Sequence, residues 1–350
     1  MKKVKLDELK QFCVSALVKV GVSQENAKAT TDVLVTTDMF GVLTHGTKNL
    51  HQYILKMQAG GLDAKAEPTV VAEGPAWAII NGNQAIGMVS SCAAMNIAIE
   101  KAKNVGIAYV GVKNSCHFGA AGYYANLAAK EGLIGIAMSN ADPVIAVPGS
   151  CVKNIGSNPM SFAAPLPDGR SVFLDIALSN VAALKVIMAQ EMEKPIPDTW
   201  IVDENGVPTT DANKFPKNAS LQPMAAHKGY GLAVLVELLS AIITGAGMLG
   251  EMKSWNLDLA TPNNAGHAFI AIDVSKMIDF DAFKLRMQRL ENELHNAPKA
   301  DGVERIYLPG EMEWDKRLAA EACGEIVITD AMADAYQKLS EMTGTQINIY

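Results

Sequence analysis

Cysteine is scarce and unpatterned. The five residues, Cys13, Cys92, Cys116, Cys151 and Cys323, are an odd number with no C-x-x-C spacing. That excludes a disulfide framework and a cysteine zinc site, and it fits reduced thiols in a cytoplasmic protein. Positive charge is in deficit, with 30 Lys and Arg against 37 Asp and Glu, net −7. Nucleic acid is therefore not the expected partner, although a local basic pocket for an anion is compatible with this balance. The basic start, Met1-Lys2-Lys3-Val4-Lys5, runs into Leu6-Asp7-Glu8 rather than an apolar core, so no secretory signal is read. The longest apolar run, 229–247, carries Glu237 and several small residues. It reads as a buried helix at the centre of a domain, not a membrane span.

Catalytic signatures are missing too. The six histidines (His45, His51, His117, His227, His267, His295) form no H-x-x-x-H or H-E-x-x-H pattern, so no metal site is expected. There is no G-x-S-x-G, which argues against nucleophilic hydrolysis. Gly245-Ala246-Gly247-Met248-Leu249-Gly250 matches G-x-G-x-x-G letter for letter. It follows a helical pattern rather than a strand, so it is not a dinucleotide fingerprint and an ordinary Rossmann domain is not expected.

What is present is a chain of 350 residues, 49% hydrophobic and 19% charged, which suits a large folded core and excludes disorder. Its centre is the stretch 106–130. Gly106-Ile107-Ala108-Tyr109-Val110-Gly111-Val112 reads as a buried strand and 121–130 as an alanine-rich helix. Between them lies Lys113-Asn114-Ser115-Cys116-His117-Phe118-Gly119-Ala120. In α/β proteins such a turn, at the carboxyl end of a strand, is where ligands bind. His117 there is either a group that gains and loses a proton near neutral pH or a histidine held in a packed corner. Cys116 beside it could form a thiolate–imidazole pair, but adjacent side chains usually point apart.

The rest of the chain alternates helix and strand. Residues 5–40 read as two helices, the second opened by Ser23. A third begins at Leu43-Thr44-His45 with Thr44 as N-cap, and Gly60-Gly61 stops it. Helical spacing puts His45, Asn49 and Tyr53 on one face with Lys48 close by, which is either a small-oxyanion site or a solvated face. Two short strands are expected over 68–83, a helix over 87–103, strands over 133–138, 171–174 and 266–274, and helices over 280–295 and 330–342. The segment 143–170 reads as loop-rich, 193–220 as a turn-rich excursion, and 301–314 as a short strand and turn. Ser139-Asn140-Ala141-Asp142-Pro143 again places polar and small residues after a strand. Asp175 at a strand end could hold a ribose or cap the next helix. Lys228, at a helix start among glycines, fits a phosphate.

Several blocks together carry a resemblance. They are Thr44-His45-Gly46 with Tyr53, Lys113 to Tyr124, Asn158-Pro159, Asp175 to Ser179, His227-Lys228-Gly229-Tyr230-Gly231-Leu232, and Gly310-Glu311. In this order over nearly the whole chain, they resemble the type 2 malate/L-lactate dehydrogenase family. That family also includes ureidoglycolate dehydrogenase, 2,3-diketogulonate reductase, sulfolactate dehydrogenase and the cyclic imino acid reductase. The resemblance implies a non-Rossmann α/β fold. Its NAD(P)-binding domain of mixed sheet would span about 76–275, and a helical domain would be built from 1–75 with 276–350. It implies a homodimer with the active site near the subunit interface.

By the same resemblance, His117 and His45 are the acid/base candidates, and Thr44, Lys48, Asn49 and Tyr53 bind substrate. Asn140, Ala141, Asp175, Ile176, Ala177, Leu178, Ser179, His227, Lys228, Gly310 and Glu311 fall where the family holds NAD or NADP. The implied reaction is hydride transfer between nicotinamide and a small 2-oxo or 2-hydroxy acid. The alternatives are a cyclic imino acid reductase and a nucleotide-binding protein without catalysis. Two departures bear on the substrate. Asn49 stands where the family carries an arginine that forks a carboxylate, leaving Lys48 as the nearest cation. Leu184-Lys185 stands where the family has Gly-Lys.

Overall fold

A computed structural model describes residues 2–350. The elements in order are β1 (Lys2–Lys5), α1 (Leu6–Lys19), α2 (Gln24–Met39), α3 (Leu50–Gln58), β2 (Thr69–Gly74), β3 (Trp77–Asn81), α4 (Gly87–Val105) and β4 (Ile107–Ser115). Then come α5 (Ala121–Lys130), β5 (Ile134–Ser139), β6 (Pro143–Ile145), β7 (Ile155–Gly156), β8 (Met160–Pro165), β9 (Ser171–Ile176), α6 (Ala183–Glu191) and β10 (Ile201–Asp203). The chain ends with β11 (Pro208–Thr209), β12 (Ala219–Leu221), α7 (His227–Glu237), β13 (Ala265–Ile272), α8 (Phe280–His295), α9 (Glu311–Cys323), β14 (Glu325–Ile328) and α10 (Asp330–Thr343).

The apolar periodicities place most of these elements where they were read. Leu6, Leu9, Phe12, Ala16 and Leu17 form the buried stripe of α1. The Ser23 hydroxyl accepts from Asn26 N–H and caps α2. The main sheet has seven strands in the order β2-β3-β4-β13-β5-β8-β9. Only β3 and β4 pair in parallel; the other neighbours are antiparallel. Alternation of sense across the sheet means that β3, β4, β5 and β9 all end at the same edge. A second sheet, β11-β10-β12-β6-β7, sits on its own apolar core with α6 and α7. The chain ends meet where β1 pairs with β14, and α10 packs on α3 and α1.

Five readings of the sequence need correction. First, β8 lies inside the segment read as loop-rich, yet it pairs with both β5 and β9; Pro159 and Pro165 sit at its ends, where prolines are tolerated. Second, 193–220 contributes three strands to the second sheet. Third, the run 229–247 is not buried all round. It is α7 followed by a π-helical turn, Leu238–Ile242, and Val234, Leu235, Leu238, Ile242 and Ile243 are exposed because only one side meets a sheet. Its Glu237 is buried and accepts from Asn158 Nδ2 and Leu249 N–H. Fourth, 301–314 holds no strand; α9 starts at Glu311.

Fifth, Thr44 caps no helix, and His45 lies in a turn ahead of α3. A 3-10 turn, Thr47–Asn49, precedes Leu50. The cause is the extended Gly46, packed so closely on Asp38 that an added Cβ would lie 1.8 Å from Asp38 Oδ1. Thr47 N–H, which a helix through residue 46 would spend on a carbonyl one turn back, goes to Asp38 Oδ2 instead.

Candidate active site

A cavity of about 490 Å³ opens at the edge where β3, β4, β5 and β9 end. His117 reaches it from the turn after β4, Asn140 and Ala141 from the turn after β5, and Asp175 and Ala177 from the end of β9. Thr44 and His45 enter from the turn before α3, and Gly310 from the start of α9. This volume is typical of small-molecule sites.

His117 is the centre of an aromatic stack. Its ring lies 4.4 Å from Trp255 at 14° and 5.5 Å from His45 at 27°. Trp255 in turn stacks on Tyr53 at 5.0 Å. The Tyr53 hydroxyl is 2.6 Å from His117 Nδ1, and Gly119 N–H also points at that atom, 3.4 Å away. Nε2 has no protein partner among the described residues, which leaves it for the cavity. Burial, then the neighbouring His45 and His267, hold the His117 pKa well below the ordinary imidazole range. Burial and then Lys48 lower His45. Both rings are therefore neutral at pH 7. Thr44 Oγ1 sits 2.8 Å from His45 Nδ1, and Asn49 Nδ2 donates to Thr44 O at 2.8 Å. Asn49 thus clips the turn that carries His45. Cys116 does not pair with His117. It is buried, donates to Asn263 Oδ1, and its pKa is pushed up to about 12 by burial.

The opposite wall is made of small residues and backbone. Asp175 Oδ2 accepts from Gly122 N–H at 2.7 Å and caps α5, not the helix that follows it in sequence. Burial raises its pKa to about 6. The end of β9 brings Phe173, Leu174, Asp175 and then Ala177 to the cavity. Ile176 and Leu178 turn to the second core, and Ser179 Oγ donates to Val181 O. The Asn140 side chain is spent on Gly247 O and Gly266 N–H. Ala141 N–H donates to Asn158 Oδ1. Gly310, at φ +83°, lies where a Cβ would come 2.3 Å from the Phe173 ring, so no side chain fits there. Its neighbour Glu311 faces away, buried, accepting from Leu308 N–H, His295 Nε2–H and Arg305. Lys48 does not line the cavity. His227 and Lys228 are exposed at the first turn of α7, off the cavity wall.

Sequence reasoning missed Trp255 and Asn263. They lie in the irregular stretch 253–263, where only a lone tryptophan among turn-forming residues marks the place. Asp142, Phe173 and Glu313 also line the cavity without having been singled out as site residues.

Comparison with known proteins agrees over nearly the whole chain. The malate/L-lactate dehydrogenase family profile matches residues 4–337. Malate dehydrogenase of Pyrococcus abyssi is 36% identical over 312 residues, 87% of this chain and 85% of that protein. Ureidoglycolate dehydrogenase (NAD(+)) of Escherichia coli K12 is 32% identical, covering 94% of this chain and 93% of its own. The structure of sulfolactate dehydrogenase from Methanocaldococcus jannaschii superposes with a TM-score of 0.91 at 33% identity, covering 98% of each chain. By sequence and fold together, the chain belongs to the malate/L-lactate dehydrogenase family.

Proposed function

We propose that this enzyme transfers a hydride between NAD or NADP and a small 2-oxo or 2-hydroxy acid. One observation carries the reading: a neutral histidine, His117, held at Nδ1 by Tyr53, keeps Nε2 free in a cavity at the strand ends. The named activities of the relatives, on malate and on ureidoglycolate, support the substrate class.

The residues present fit a nicotinamide nucleotide. The wall of Gly119, Gly122, Ala141, Ala177 and Gly310 leaves a cradle with no side chain larger than a methyl group, and Gly310 tolerates no Cβ. Asp175 offers a carboxylate, and His227 and Lys228 stand at a helix start suited to a phosphate. Asn140, Ile176, Leu178, Ser179 and Glu311 would then act by shaping this wall rather than by touching the cofactor. When bound, NAD or NADP supplies the hydride donor or acceptor.

His117 does the proton work. In oxidation the neutral ring takes the hydroxyl proton; in reduction its protonated form returns one to the carbonyl oxygen. With Nε2 as the working nitrogen, Nδ1 carries its hydrogen in both states and donates it to the Tyr53 hydroxyl, so the ring keeps its partner throughout. His45 stacks against His117 and has its Nδ1 on Thr44. Thr44 lines the cavity and would meet the substrate, whereas Lys48 lies off its wall and Asn49 is held on Thr44 O, so these two would shape the turn in place of a forked arginine. The exposed stripe on α7 and its π turn supports a homodimer, with a second copy covering it.

The test is NADH and NADPH oxidation in parallel against oxaloacetate, pyruvate, sulfopyruvate and a cyclic imine. Turnover of an oxo acid is expected. Turnover of the imine alone would move the function to imine reduction. Cofactor binding without turnover of any of them would overturn catalysis.

A further inference from the structure

Lys56 stands out as a buried cation without a counter-ion. It lies on α3, three residues after Tyr53, and its side chain is fully buried. No carboxylate lies within ion-pair distance among the described residues. Its ammonium instead donates to two backbone carbonyls, Asp258 O and Thr261 O, each at 2.7 Å. Burying an ammonium is costly unless it is well hydrogen-bonded, so a buried lysine satisfied only by carbonyls holds those carbonyls firmly.

Both carbonyls belong to one irregular strap, residues 253–263, that lies across α3. Two further contacts fasten it. Gln52 Nε2 donates to Asn256 O at 2.8 Å, and Gly61 accommodates Leu259 O so closely that an added Cβ would lie 2.2 Å from it. The strap has no regular secondary structure, and its tip, Leu257, is 85% exposed. At its far end Cys116 donates to Asn263 Oδ1. This strap carries Trp255, whose ring covers both Tyr53 and His117.

We infer that Lys56 is a positioning residue: by tethering the 253–263 strap it presses Trp255 onto His117, keeping that ring dry and aligned for proton transfer. The role in proton transfer rests on the function proposed above; the tether itself does not. Lys56 touches neither the cavity nor the reacting atoms. It acts through Trp255.

The consequence is a shift in how His117 titrates. Burial is the first cause of its lowered pKa, and Trp255 supplies one face of that burial. Charged and titratable groups around it are His45 and Lys48 on the preceding turn, and Tyr53 and Lys56 on α3. Cys116 just after β4, His267 on β13, Asp142, Asp175 and Glu313 at the cavity, and Asp258 on the strap complete the set. Releasing the strap hydrates the ring and leaves Cys116, His267 and the groups of the cavity wall in place, so the His117 pKa rises toward its ordinary value.

The experiment follows histidine ring signals by NMR across pH in the full-length protein, comparing wild type, Lys56→Met and Trp255→Ala. Hydrogen exchange over 253–263 is read alongside. In both variants His117 should titrate about one pH unit or more higher than in wild type. His267, buried away from the strap, should stay put. Lys56→Met should speed exchange in the strap at least tenfold while the main sheet keeps its protection. Combining the two substitutions should add no further shift.

An unmoved His117 in Lys56→Met, with Trp255→Ala moving it, would overturn the tether. So would faster exchange spread evenly over the whole chain. Should Lys56→Met fail to fold, Gln52→Ala removes another side-chain anchor of the strap. A smaller upward shift with faster strap exchange is expected there, and no change in either would overturn the inference. A wild type that turns over no substrate would sink the function proposed above and leave these readings intact.

Discussion

Two histidines, the half-buried His117 in the turn after β4 and the fully buried His267 on β13, differ in one respect that decides their chemistry. His267 is fully buried on β13. Its Nδ1 lies 2.8 Å from Ser139 Oγ and its Nε2 2.9 Å from Ser115 Oγ. Ser115 continues to Ser90, and Ser139 donates to Asn140 O. Its ring stacks on Phe118 at 4.6 Å and 6°. Burial lowers its pKa to about 3. Both ring nitrogens are therefore used, and the residue is a fastener between β4, β5 and α4. The His117 pKa is also lowered, but one nitrogen is free and faces the cavity. A lowered pKa is common to both, so it does not identify a proton-transfer group. The unsatisfied ring nitrogen does.

The comparison can be broken most decisively at His117. His117→Ala should lower turnover by about 100-fold or more with the fold retained, judged by circular dichroism and steady-state kinetics. Turnover near the wild-type value would make the two histidines equivalent after all. His267→Leu should do the reverse. Stranding Ser115 and Ser139 in the core should cost roughly 2–4 kcal/mol, read as a lower melting temperature, with a smaller effect on turnover per folded molecule. Tyr53→Phe sharpens the contrast. It removes the hydroxyl on Nδ1 and should cost about tenfold in kcat with little change in KM.

The smallest effect concerns Asp38, a third titratable group and a buried one. Its Oδ2 accepts from Thr47 N–H and the Thr47 hydroxyl, while Oδ1 has no partner beneath Gly46. Burial raises its pKa to about 7 from an ordinary 3.8. Between these values the folded state holds a proton that the unfolded state releases, so this group's contribution to stability falls as pH rises. His267 has the opposite sign: stability is lost as pH drops from about 6.5 toward 3. Asp38→Asn should therefore gain on wild type as pH rises from about 4 to about 7, seen in paired thermal melts. A difference that does not change with pH would mean that Asp38 keeps one protonation state throughout.

Much of the scaffold was legible in local pattern. The buried strand over 107–115, the α5 helix and the Ser23 cap depend on residues within a few positions of each other. The site was legible in part. His117, Asn140 and Asp175 were marked as polar residues at strand ends, and antiparallel alternation brings those ends to one edge. The His45 turn was misread because helical spacing from 45 to 53 is sound locally, and only contact with Asp38 forbids it. Trp255 was invisible because its stretch has no period, and β8 was hidden among prolines and glycines.

The sequence by itself determined the period-2 and period-3.6 apolar patterns, the caps, the lack of a phosphate fingerprint and the ordered blocks that identify the family. These are properties of neighbours along the chain. Tertiary structure alone decided which histidine nitrogen stays free, which face of α7 is bare, that Glu311 turns inward, and that Trp255 covers His117. Each of those is set by desolvation and hydrogen bonding between segments distant in sequence, and both act through space.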